Sequence, residues 1–136
     1  MPALPQTARS RRWWALALVA ALVTQVLVLY LPAVPEAPGS GVPAGDKVVH
    51  ATVFAAVTLT GLAARLRPSL VVGFGVVHAV VSEVVQHTLL ADRSGDPFDV
   101  LADALGVLLG WALARRLASR AARRVTARER RTAPPA

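Results

Sequence analysis

The sequence predicts an all-α fold, a membrane bundle of four transmembrane helices with both termini in the cytoplasm. Three observations predict it. The chain is 136 residues long and 54% hydrophobic with a mean hydropathy of +0.50, more apolar surface than a soluble core of this size can bury. Apolar segments of near-membrane length recur along the chain, separated by proline, glycine or charge. Lysine and arginine fall on alternate flanks of those segments.

The first segment follows a short basic stretch with Arg9, Arg11 and Arg12. Trp13 and Trp14 suit a headgroup boundary. From Trp13 to Leu31 the chain is almost wholly apolar, with Thr24 and Gln25 as exceptions. These 19 residues span about 28 Å as a helix, close to a hydrocarbon core. Tyr30 marks the far interface, and Pro32 ends the helix. A cleaved signal peptide would share the basic start. Its apolar run is usually only about 7–15 residues, and no clean small-x-small site follows here.

Residues 32–45 hold four Pro and three Gly and read as an irregular loop. Asp46 and Lys47 open a second apolar segment, about Val48 to Ala64. Arg65, Arg67 and Pro68 form a basic turn, and a third segment runs from about Leu70 to Leu90. The loop at 91–97 carries Asp92, Arg93, Gly95 and Asp96. The fourth segment, about Phe98 to Ala114, ends near Trp111, Arg115 and Arg116, and an Ala- and Arg-rich helical extension follows. The organisation read from this pass is a cytoplasmic basic N-terminus at 1–12, a transmembrane domain at 13–114 and a basic cytoplasmic tail at 115–136.

Charge supplies the orientation and excludes some functions. The formal net charge is +7, yet eight of the 15 Lys and Arg lie between Arg115 and Arg131 and three between Arg9 and Arg12. That is a topology signal rather than a nucleic-acid surface, so the lipid bilayer is the expected partner and nucleic acid is not. The turn at 65–69 carries two more, whereas the 32–47 and 91–97 loops carry one each and are expected outside. With no cysteine, disulfide frameworks and thiolate chemistry are excluded.

Polar groups cluster where a lipid-embedded chain should have few, because a charge at the centre of a span costs about 2.5–3.5 kcal/mol on insertion scales. Asp46 and His50 share a face at i,i+4. Glu83, Gln86 and His87 share another, with Gly75, Ala79 and Ser82 on the same side. Asp99, Asp103, Gly106 and Gly110 line up on the fourth segment. Gly75, Gly106 and Gly110 are expected to pack helices closely, Gly106 and Gly110 in a small-xxx-small pattern. The predicted topology brings His50, Glu83 and Asp103 to similar depth in a pocket open to the outside, rimmed by Arg93 and Asp96. Six acids (Asp46, Glu83, Asp92, Asp96, Asp99, Asp103) face two bases there, Lys47 and Arg93. The carboxylates must be protonated, paired or bound to a cation. His50, His87, Glu83 and Asp99 are chemically suitable metal ligands. No tight motif such as H-E-x-x-H accompanies them, so no metal or cofactor is assigned. The bland reading is that these groups only hydrogen-bond helices together, at about 0.6 kcal/mol each. His78 and Gln25 fit that reading best, as a packed, hydrogen-bonded histidine and a bond to a neighbouring helix.

The pattern resembles the VanZ-like family of bacterial membrane proteins. The resemblance rests on Asp46-Lys47-x-x-His50, Glu83-x-x-Gln86, Arg93-x-x-Asp96-x-x-Asp99 and Asp103-x-x-Gly106-x-x-x-Gly110, over roughly residues 15–114. The family pattern usually has Asn at the place of Asp103. The resemblance implies about four spans, a multi-pass place in the bacterial plasma membrane, and a link to glycopeptide (teicoplanin) resistance. The candidate site is Asp46, Lys47, His50, Glu83, Gln86, Arg93, Asp96, Asp99 and Asp103. The expected function is a cell-envelope protein that binds a lipid-linked or cell-wall component, with Arg93 and Lys47 gripping an anionic group. The alternatives are an enzyme acting on such a substrate, through Glu83, His50 and Asp99, or a structural partner of another membrane protein. No nucleophile motif accompanies Glu83, which favours binding over catalysis. Four short spans without a visible inverted repeat leave little room for alternating access, which disfavours a transporter.

Overall fold

The computed structural model describes residues 8–31, 45–90 and 96–132. They form four helices and no strand: α1 (Ala8–Tyr30), α2 (Gly45–Ala63), α3 (Pro68–Leu89) and α4 (Pro97–Thr132). Three of these, α1, α3 and α4, contain stretches long and apolar enough to cross a membrane. α2 has 19 residues but carries Asp46, Lys47 and His50 in its first two turns. It is the central helix, packed most extensively on α4, then on α1, and less on α3.

Burial is distributed inside-out relative to a soluble domain. Gln25, His50, Thr58, Ser82, Glu83, Gln86, Asp99 and Asp103 are buried, while Leu16, Val23, Leu70, Val77, Val84, Leu101, Leu105 and Leu109 are exposed. Lipid as the surrounding solvent reconciles the two, because it rewards an apolar shell and forces polar groups inward. Helix hydroxyls are satisfied locally, as a dry interior requires: Thr60 Oγ1 donates to the Ala56 carbonyl at 2.7 Å and Ser82 Oγ to that of Ala79 at 3.0 Å.

Each helix boundary has a local cause. α1 starts ahead of Trp13 because arginine is a good helix former, so the basic stretch joins the helix. α2 ends with Arg65 in the left-handed region at φ 67°. Leu66 N–H donates to Gly61 O at 3.1 Å and Arg65 N–H to Leu62 O at 3.1 Å, the paired bonds that close a helix C-terminus. α3 opens with Pro68, whose missing N–H costs nothing in a first turn. α4 runs unbroken for 36 residues, so the basic extension is one rod with the fourth segment. Arg115 lies 4.9 Å over the Trp111 ring one turn before it.

The core is a small cluster of Leu29, Val53, Phe54, Ala79 and Val107, contributed by all four helices. Around it, α4 meets α2 almost backbone to backbone. A methyl group on Gly106 would collide with Ala51 O and stand 2.9 Å from Ala51 Cα, and one on Gly110 would collide with Ala55 O. Gly75 on α3 faces a side chain instead, 2.6 Å from Val107 Cγ2 to its would-be Cβ.

Candidate polar site in the bundle

The site lies where α2 and α4 begin and α3 ends. Asp96, immediately before Pro97, is the N-cap of α4: its Oδ1 accepts from Phe98 N–H at 2.9 Å. The same carboxylate reaches α2 through Oδ2, which accepts from Lys47 Nζ at 2.8 Å. Its backbone N–H reaches α3, donating to Glu83 Oε2 at 2.9 Å. One residue thus ties three helices together.

Lys47 is surrounded by acid. Its ammonium lies 2.8 Å from Asp96, 3.2 Å from Asp99 and 3.3 Å from Asp46. The bonds to Asp96 and Asp99 hold its pKa well above the usual lysine value. The Lys47 ammonium, followed by the Phe98 N–H, holds Asp96 below the usual carboxylate range. All three ammonium protons have acceptors among the site's own carboxylates.

Deeper in the bundle sit His50, Glu83 and Asp103. His50 Nδ1 lies 3.0 Å from Asp103 Oδ1 and 4.0 Å from Glu83 Oε1. His50 is 4%, Glu83 8% and Asp103 0% exposed. One ligand atom from each falls within 4.8 Å of the others. Glu83 Oε1 and Asp103 Oδ2 are buried without a hydrogen-bond partner among the described residues.

The structure therefore groups Asp46, Lys47, Asp96 and Asp99 at the mouth and His50, Glu83 and Asp103 below. Gln86 is buried but turned elsewhere: its Nε2 donates to Leu29 O on α1 at 2.9 Å. Arg93 and Asp92 lie outside the described residues. His87, on the same helix as Glu83, is exposed. His78 is the packed, hydrogen-bonded histidine expected from the sequence, with its Nε2 3.0 Å from the Tyr30 hydroxyl and its ring among Tyr30, Phe54 and Phe74, but its partner was not legible there. Nothing in helical periodicity pairs residues 30 and 78. Gln25 is wholly buried, and neither amide atom finds the expected partner among the described residues.

Fold and site together define a small helical membrane protein with an acidic polar cluster enclosed among its helices. The VanZ/LLP1 family model matches residues 7–119, and the chain belongs to that family. No curated protein and no solved structure matches it.

Proposed function

We propose that this protein is a multi-pass protein of the bacterial plasma membrane that binds a lipid-linked or cell-wall component. Its polar pocket faces out of the cell and both termini lie inside. A contribution to glycopeptide (teicoplanin) tolerance is part of this reading, suggested by the family resemblance. The observation that supports this reading is the burial of Glu83, Asp99, Asp103 and His50 at one end of an otherwise apolar-shelled bundle. A purely structural role would need fewer acids and would not leave carboxylate oxygens without a partner among the described residues. Because Lys47 is already engaged by three carboxylates, the pocket suits sugar hydroxyls or an amine better than a bare anion.

The deciding experiment is complementation of a deletion strain. Glu83→Gln and Asp99→Asn should abolish glycopeptide tolerance and alter lipid-linked precursor levels while membrane abundance stays normal. Abundance falling in step with function would favour a structural role instead.

A membrane-embedded enzyme is the second reading. It is favoured by the His50–Asp103 pair, which with Glu83 4.0 Å away offers a proton donor and acceptor in one dry site. It fails if purified protein leaves envelope lipids chemically unaltered both with and without added divalent metal.

A further inference from the structure

Carboxylates stripped of water need a counter-charge or a hydrogen-bond donor, and this site gives an ammonium only to its outer layer. Lys47 answers Asp46, Asp96 and Asp99. Among the described residues, the one basic side chain against Glu83 and Asp103 is His50. Each is more than nine-tenths buried, and each directs one oxygen to no donor among the described residues. An orphaned carboxylate oxygen in a dry interior is costly unless a proton or a cation meets it.

We propose that His50, Glu83 and Asp103 form a binding site for one divalent transition-metal ion, held by His50 Nδ1 and one oxygen from each carboxylate. Three arguments carry it. The first is charge: two carboxylates and a neutral imidazole balance a dication. The second is spacing. Ligand atoms at about 2.1 Å from an ion stand about 3.0 Å apart at a right angle and about 4.2 Å apart when opposite. His50 Nδ1 stands 3.0 Å from Asp103 Oδ1, now its hydrogen-bond partner, and 4.0 Å from Glu83 Oε1, unpartnered among the described residues, and one ligand atom of each residue lies within 4.8 Å of the others, so small side-chain turns bring the three to that spacing. The third is support from outside the ligand set. Glu83 Oε2 is already held by the Asp96 N–H, which leaves Oε1 free to turn toward the ion.

One nitrogen and two oxygens suit Mn²⁺ or Zn²⁺ better than Ca²⁺, which prefers oxygen alone. Three protein ligands leave positions open on the metal for a further oxygen ligand. The site does not rest on the identity of the envelope ligand or on the direction in which the pocket faces.

The test uses the full chain in detergent micelles or nanodiscs, stripped with a chelator and titrated with Mn²⁺ and, separately, Zn²⁺. One saturable equivalent is expected, with a rise in unfolding temperature. His50→Gln and Asp103→Asn should each weaken binding at least tenfold while the helical circular dichroism is retained. Electron spin echo of the Mn²⁺-loaded native chain should show a single imidazole nitrogen, a readout that needs no variant. Absence of a saturable equivalent for either ion, undiminished binding by both variants, or a Mn²⁺ spectrum without nitrogen would each overturn the proposal. Loss of glycopeptide tolerance is not a readout here, so failure of the envelope reading and failure of the metal site are told apart.

Discussion

Asp96 does three jobs with one side chain and one N–H. It caps α4, accepts from Lys47 on α2 and fixes Glu83 on α3. Asp96→Asn keeps a cap-competent oxygen and the N–H but loses the charge, whereas Asp96→Ala loses the cap as well. Thermal unfolding in detergent should therefore rank wild type above Asn and Asn above Ala; equal melting of the two variants would count against the cap. The Lys47 clamp also has a working pH window. A raised lysine pKa contributes stability that is complete below its ordinary value and lost as pH rises through the raised one. A lowered Asp96 pKa contributes stability present above the ordinary carboxylate range and lost as pH falls through the lowered one. The melting difference between the native chain and Lys47→Gln should stay flat from about pH 6 to about pH 9 and shrink on acidification below about pH 4. A difference that widens in acid would contradict the pairing. The sequence showed the acids and Lys47 near one another, but it assigned Lys47 to a ligand. Three carboxylates converging on one ammonium is a distance fact that spacing along the chain does not contain. Gln86 escaped for a similar reason, since its partner is a backbone carbonyl 57 residues away.

The helix pair α2–α4 is held by what its glycines lack. Gly106→Ala places a methyl group against Ala51 O and Cα. Backbone has little freedom to give way, so the substitution should cost about 1–3 kcal/mol, the usual range for overpacking. Gly73 is a control on the same kind of element: nothing lies within 4 Å of its would-be Cβ. Gly73→Ala should be neutral or stabilising by up to about 1 kcal/mol, through helix propensity. Reversible unfolding by a denaturing detergent would measure both, and an equal response at the two positions would refute the close approach. The spacing of Asp103, Gly106 and Gly110 already showed that they share a face. Periodicity names a face and not its neighbour, and so could not say that α2, rather than α3, receives the glycines while Gly75 takes Val107.

For the whole molecule, apolar run length identified all four helices, because a lipid-facing shell leaves a strong signal in sequence. It also read the tail as helical, and Ala and Arg propensity explains the single rod of α4. It could not show α2 to be the central helix, since α2 resembles the other helices' apolar stretches in composition except at its polar start. Orientation remains a proposal from charge asymmetry, and the absence of cysteine makes it easy to test. A single cysteine replacing Ser94 should react with an impermeant thiol reagent added outside intact cells, and one replacing Ser69 only after the membrane is opened. The opposite pattern would invert the pocket toward the cytoplasm.

The glycine contact also calibrates the polar site. Ala51 adjoins His50 along α2, and Gly106 follows Asp103 by one helical turn on α4. The 3.0 Å gap between His50 and Asp103 is therefore gauged by a contact one step further along the same two backbones. A missing methyl group acts as the spacer: fill it, and His50 and Asp103 are prised apart with every polar residue still in place. Mutational surveys that score only the charged positions would overlook this, since a substitution as mild as Gly106→Ala can disable the site by moving its walls.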